Sequence, residues 1–255
     1  MHMDKEPAEK PGTDPASERI AKYLSRAGVC SRREAERWIT LGRVKLNGET
    51  LTTPATLVGA GDVVLVDNAP VALKEKTRVY RYYKPAGLVT SHADEKGRKT
   101  IFDALPPELQ QVKTVGRLDL NSEGLLLLTN DGAVKRHLEL PATGWARRYR
   151  VRAFGIVYPN QLENLRRGVT VEGVRYGSIE AEVERHQGSN SWLLVTLTEG
   201  KNREIRRVFD SIGLTVNRLI RVAYGPFQLG KLPEGAVEEI PPRILQQTLG
   251  KLYEE

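Results

Sequence analysis

The sequence predicts an α+β protein of two domains, on three observations. Residues 18–66 read as two short helices followed by a hairpin and one more strand. Four consecutive leucines, Leu125 to Leu128, end on Thr129 and an Asn-Asp-Gly turn, the mark of a short strand buried on both faces. Beyond them, helical stretches such as Ala133 to Leu140, stopped by Pro141, are mixed with stretches of period-two alternation such as Arg148 to Arg152. A chain of 255 residues has room for one large domain or two smaller ones and for a substantial core.

The elements follow in chain order. Met1 to Ser17 repeat Pro, Glu, Lys and Asp with almost nothing to bury, so a disordered tail is expected at 1–17. From Glu18, Ile20, Leu24 and Ala27 share one helical face while Arg19, Lys22 and Arg26 share another. Gly28 stops that helix. Ser31-Arg32-Arg33-Glu34 has capping-box form and opens a second helix, with Ala35, Trp38 and Ile39 inward, Arg33 and Arg37 outward, and Gly42 at its end. Val44 to Leu46, the Asn47-Gly48 turn and Val63 to Val66 read as a small sheet. Residues 67–77 are polar, contain Pro70 and read as a linker, and a strand starting at Val79 opens the second domain. Late in the chain, Asn202 is placed to cap a helix whose Ile205, Val208, Phe209 and Ile212 form an apolar face, with Gly213 as its stop.

Formal charge is +7, which favours a polyanionic partner. Its distribution is more informative than the total. Eight Lys/Arg face four Asp/Glu between Glu18 and Thr50, and six face two between Gly200 and Gly225; each segment carries +4, so the remainder sums to −1. In the first segment, Arg19, Lys22, Arg26, Arg32, Arg33, Arg37, Arg43 and Lys45 crowd a small unit with few acids to pair them. Such a cluster is either an ordinary solvated helix face or a phosphate-binding surface that anchors RNA without reading bases.

Several function classes lack support. Cys30 is the one cysteine, which excludes an internal disulfide and makes a reducing cytoplasm the expected setting. His2, His92, His137 and His186 are far apart with no metal-ligand spacing, so no metal site is expected. No apolar stretch approaches the ~20 residues that span a membrane. Neither G-x-x-x-x-G-K-[ST] nor a strand–helix G-x-G-x-x-G is present, and no small-molecule cofactor is expected.

The candidate site is the run from Gly116 to Gly132, which places Arg117 and Asp119 in a loop at the mouth of the leucine strand. A rigid strand end can hold a side chain with the precision that catalysis needs. On local grounds alone, such a pair is more often a turn residue or a structural ion pair than a catalytic one. Arg206 lies about 100° from Ile205, at the edge of the apolar face of its helix, whereas Arg203 and Arg207 point away from it and are candidate phosphate contacts.

SRREAERWITLGRVKLNG resembles the S4 RNA-binding module. YYKPAG followed by GRKT, GRLDLNSEGLLLLTNDG, LTEGKNREIRR and NRLIRVAYG resemble, in family order, the motifs of the S4-domain-containing ribosomal RNA pseudouridine synthases, over roughly Glu18 to Arg243. The resemblance implies an S4 domain at 18–66 and, at 78–250, a catalytic α+β domain around a mixed, largely antiparallel sheet. It implies that Asp119 is the catalytic carboxylate, held ionised and oriented by Arg206, with Arg117, Tyr149 and Leu219 as supporting groups. Arg147 stands where the family usually has lysine, so the charge is kept and any role specific to lysine is not. Tyr149 and Leu219 read equally as packing residues. The implied reaction breaks the C1′–N1 bond of a uridine in RNA and rejoins the base through C5, with the uridine flipped from its stack. The implied partner is ribosomal RNA, that of the large subunit (23S) first, acted on by a monomer. Two alternatives stay open: a synthase for 16S or another structured RNA, and a non-catalytic RNA-binding assembly factor.

Overall fold

The N-terminal helices form where the apolar spacing places them. The structure, a computed structural model, describes residues 17–59, 61–71 and 76–253, in two units spanning 1–75 and 76–255. The expected tail at 1–16 and residues 72–75 of the expected linker lie outside the described residues.

In the first unit, α1 (Ile20–Arg26) and α2 (Arg32–Thr40) pack together, with Ser31 Oγ accepting from Glu34 N at 3.2 Å as the N-cap of α2. Glu18–Arg19 (β1) pairs with Leu57–Val58 (β4) instead of starting the helix. The other strands, Val44–Leu46 (β2), Glu49–Thr50 (β3), Val64–Val66 (β5) and Ala69–Pro70 (β6), form a sheet in the order β3-β2-β5-β6. Asn47 (φ 51°) and Gly48 (φ 90°) make the tight turn between β2 and β3. Residues 69–70, read from sequence as linker, add an edge strand to this sheet, and Val71 N still bonds Val64 O at 2.9 Å. A proline is tolerated there because an edge strand leaves one row of its backbone groups unpaired. Ile20, Leu24, Ala35, Ile39, Val44 and Val64 make the core of the unit.

The second unit is built on a mixed sheet whose central order is β13-β14-β10-β15-β9-β7-β17. Its strands are Val79–Lys84 (β7), Lys113–Val115 (β8), Glu123–Thr129 (β9), Arg147–Phe154 (β10), Ile179–Gln187 (β13), Asn190–Leu197 (β14), Thr215–Tyr224 (β15), Phe227–Gln228 (β16) and Val237–Glu239 (β17). A separate hairpin is formed by Val169–Val171 (β11) and Val174–Tyr176 (β12). Every pairing in the large sheet is antiparallel except β9 with β15.

Strand β9 is buried at every residue, as the leucine run predicts. Alternation splits it: Leu126 and Leu128 join the core shared with α4 (Pro159–Leu165) and α5 (Glu204–Ser211), and Leu125 and Leu127 join the core under α3 (Gly132–Glu139) and α6 (Pro242–Leu249). Each fully buried leucine contributes about 1.5–3 kcal/mol. The strand end that leads into the Asp119 loop is therefore fixed from both sides.

One helix start differs from expectation. Asn202 does not cap α5; the N-cap is Arg203 in a left-handed conformation (φ 51°), and the Glu204 side chain reaches back to accept from Lys201 N at 2.9 Å. The turn before α5 is thus closed by Glu204, one residue later than the sequence suggests.

Candidate active site

The loop from Leu118 to Ser122 is held through its carbonyl oxygens. Thr90 Oγ1 donates to Leu118 O (2.8 Å), Gly87 N to Leu120 O (2.7 Å) and Arg206 to Asn121 O (3.0 Å). Lys84 Nζ donates to Asp119 O (3.3 Å), Leu120 O (3.5 Å) and Ser122 O (2.9 Å), and also to Pro85 O (2.9 Å). Ser122 N closes a turn onto Asp119 O at 3.0 Å. At the loop entrance, Gly116 N donates to Glu139 Oε1 at 2.6 Å. Buried carbonyls need such partners, and meeting that need from the 84–90 stretch on one side and Arg206 of α5 on the other fixes the loop.

Asp119 is half-buried and lines a cavity of about 570 Å³. Its carboxylate takes no hydrogen bond among the described residues, so it is presented to the cavity. Tyr149 on β10 and Leu219 on β15 line the same space from adjacent strands, where Tyr149 pairs with Arg221 and Val151 with Leu219. Arg117 is exposed at the cavity wall, and Arg203 stands on its rim. The structure thus gathers Asp119, Arg117, Tyr149, Leu219 and Arg203 around one cavity. Arg207 is exposed one turn along α5.

Arg206 lies behind the loop rather than against the carboxylate. Its guanidinium donates to Val216 O (2.8 Å) and Asn121 O (3.0 Å), so the direct bidentate pair with Asp119 is replaced by an indirect one. The physical reason is the demand of the two carbonyls. Burial, with Arg203 beside it, pulls the Arg206 guanidinium below its usual value, and the Asp119 charge acts in the opposite sense.

Two buried groups at the site, Lys84 and Arg221, are not read from the sequence as site residues, and Arg147 is read only as a replacement for the family's lysine. Lys84 is fully buried, and its ammonium is pulled down to about 8 by burial, with Asp119 and Glu123 acting against that shift. Arg221 is 2% exposed, donates to Leu125 O at 2.7 Å and lines the cavity. Arg147 donates to Tyr224 Oη (3.0 Å) and to the carbonyls of Trp145 and Thr198, which makes it a brace of the cavity end. A helical or alternating pattern reports which residues are apolar, and it is silent on a cation that burial places among carbonyls.

In the first unit the basic residues separate into tied and untied. Lys22 and Arg26 pair with Glu18, Arg43 pairs with Asp67 while lying over Trp38, and Lys45 donates to Asn68. Arg37 lies 3.7 Å from Glu34. Arg19, Arg32 and Arg33 are exposed and have no acidic partner within 4.0 Å among the described residues. Among the described residues no three His, Cys, Asp or Glu side chains gather as a metal site, and no helix is long and apolar enough to cross a membrane.

Comparison with known proteins agrees with this geometry. Residues 78–211 match the RNA pseudouridylate synthase family and residues 18–64 the S4 domain. The chain is 46% identical over 234 residues to an uncharacterized RNA pseudouridine synthase of Rickettsia prowazekii, covering 91% of this chain and 97% of that one. It is 41% identical over 232 residues to the ribosomal large subunit pseudouridine synthase B of Salmonella typhimurium, covering 88% and 79%. A solved structure described as a pseudouridylate synthase shares the fold, with a TM-score of 0.64 at 24% identity over 92% of this chain and 99% of that one. An S4 domain followed by a catalytic unit with a mixed, largely antiparallel sheet identifies the chain as a member of the RNA pseudouridine synthase family, an RNA isomerase.

Proposed function

We propose that this chain converts a uridine of large-subunit ribosomal RNA to pseudouridine, with Asp119 as the essential carboxylate and the target base flipped into the cavity. The observation that carries this reading is the Asp119 loop. Its carbonyls from Leu118 to Ser122 are all bonded to the scaffold, while the aspartate carboxylate takes no hydrogen bond among the described residues and lines the cavity. Isomerisation breaks C1′–N1 and forms C1′–C5, and every role open to the aspartate in that sequence requires a carboxylate held against the ribose or base.

A base still stacked in a helix cannot reach a half-buried carboxylate in the wall of a cavity, so extrusion accompanies binding. About 570 Å³ falls within the range of sites that take a small molecule, which suits one extruded nucleoside. Tyr149 presents an aromatic face and Leu219 an apolar one on adjacent strands, a pairing suited to sandwiching a uracil ring. Arg206 steadies the loop by its bond to the carbonyl of Asn121, two residues beyond Asp119. The exposed Arg19, Arg32 and Arg33 of the S4 unit fit phosphate anchoring. The choice of the large subunit rests on the 41% identity to the Salmonella typhimurium enzyme of that description.

The test is to map pseudouridine in 23S and 16S RNA after incubation with the chain and with Asp119→Ala. The expected result is one new site in 23S RNA, made only by the unsubstituted chain. Product from Asp119→Ala would overturn the catalytic assignment, and product in 16S RNA alone would overturn the target.

A further inference from the structure

Arginines on the catalytic unit fall into two populations. On much of its surface they are neutralised: Arg78 by Glu239, Arg81 by Glu238, Arg98 by Asp94, Arg150 by Glu184 and Arg218 by Glu123. Others are exposed with no acidic partner within 4.0 Å among the described residues: Arg136, Arg148, Arg185 and Arg243, and four more on elements that edge the cavity or are fastened to its rim. Arg203 and Arg207 on α5, and Arg167 and Arg175 at the β11–β12 hairpin, are exposed, and none has a carboxylate within 4.0 Å among the described residues.

The hairpin is fastened to the cavity rim. Lys201, which lines the cavity, donates from Nζ to Arg175 O at 2.8 Å and pairs with Glu199, while Glu199 Oε2 accepts from Gly177 N at 3.0 Å. The Arg175 guanidinium donates to Arg167 O at 2.9 Å, which fixes the Arg175 side chain against the backbone at Arg167. Val169 and Val171 of β11 pack on the core that contains Ile205 of α5. A guanidinium that is exposed, fixed and unpaired is suited to bidentate contact with a phosphate.

We propose that the β11–β12 hairpin is an RNA-contacting element. Arg167 and Arg175, on the hairpin that Lys201 ties to the cavity rim, join Arg203 and Arg207 in binding backbone phosphates of the RNA next to the target uridine. The proposal rests on the reading of the cavity as the uridine site. Its contacts are to phosphate and carry no base preference, so they add affinity and register, not sequence choice.

The experiment uses the full chain and a large-subunit RNA transcript, with dissociation constant, its salt dependence, KM and kcat measured together. Each phosphate contact contributes about 0.7–0.9 to the slope of log K against log salt. Arg167→Gln with Arg175→Gln is expected to lower the slope by about 1.5 and to raise the dissociation constant about 30-fold near 0.1 M salt, with kcat at saturation unchanged. Arg167→Gln alone leaves the Arg175 bond in place and is expected to give half the slope change, so it decides the matter if the double variant folds poorly. Lysine at both positions should restore the slope, and Arg148→Gln, on the opposite face of β10 from Tyr149, should leave it unchanged. Wild-type affinity and slope in the glutamine variants would overturn the proposal and would point these arginines toward an acidic protein instead. If the unsubstituted chain makes no pseudouridine yet the variants still lose affinity, the hairpin role stands and the enzymatic reading of the cavity falls.

Discussion

Lys84 shows how one buried side chain couples stability to catalysis. Four carbonyls, those of Pro85, Asp119, Leu120 and Ser122, surround an ammonium whose folded-state pKa is about 8 against an ordinary 10.5. Between those values the unfolded chain keeps a proton that the folded chain has released, so folding stability should rise with pH from about 8 to 10.5. Below pH 8 the fold carries the full cost of the buried charge. Activity should move the other way, because a neutral amine has one fewer N–H to share among the carbonyls and the Asp119 loop loosens. The expected outcome is an alkaline fall in kcat centred near pH 8 in a protein whose melting temperature is climbing. Lys84→Met should abolish this component of both pH dependences and lower kcat by about 100-fold, since a small displacement of the carboxylate is enough. A kcat profile in Lys84→Met identical to that of the unsubstituted chain would sink the argument. The place of Asp119, in a loop at the mouth of a buried strand, was legible because a glycine-bounded run precedes an unmistakable strand, while its role came only from the family resemblance. Lys84 was not legible: nothing in Tyr-Lys-Pro shows that a lysine will be buried until the loop it serves has folded over it.

At the level of elements, the parallel contact of β9 with β15 rests on a glycine. Gly124 has φ +101°, and a Cβ there would lie 2.4 Å from Arg221 O and 2.8 Å from Arg221 N, both backbone atoms. Gly124→Ala should therefore destabilise the catalytic unit by about 3–5 kcal/mol through combined strain and overlap. Gly132 is the contrast. It begins α3 with open space around its Cβ position, and Gly132→Ala should be neutral or stabilise by up to about 1 kcal/mol. Urea unfolding of both variants checks the pair, and equal midpoints would refute the argument from close approach. The sequence showed these elements where periodicity was strong. The leucine run, the Asn47-Gly48 hairpin, the Ser31 cap and the Pro141 stop all stand where their local chemistry places them. It missed β6 because two residues with a proline have no alternation to read, and it misplaced the start of α5 because an arginine in a left-handed conformation has no sequence mark. It also left the β11–β12 hairpin unread, since three-residue strands fall below any usable period.

Across the whole molecule, charge is arranged by what neutralises it. Composition placed +4 between Glu18 and Thr50, yet the count alone could not say which of those cations await a partner. The folded S4 unit does: Glu18 binds Lys22 and Arg26, Asp67 binds Arg43, and Arg19, Arg32 and Arg33 project with no acidic partner among the described residues. Lys22 and Arg26 are committed to the nearly buried Glu18 carboxylate and Arg43 to Asp67, while the untied arginines are available to phosphate. Arg32→Ala with Arg33→Ala should then cut RNA affinity and lower the salt slope by about 1.5, with melting temperature nearly unchanged. Lys22→Ala with Arg26→Ala removes the same formal charge but releases Glu18, so its effect on the slope should be smaller. Binding isotherms for the two double variants at several salt concentrations separate local arrangement from net charge. Equal losses would mean that the S4 unit acts through its total charge, and the ordering of tied and untied residues would then have no bearing on RNA binding.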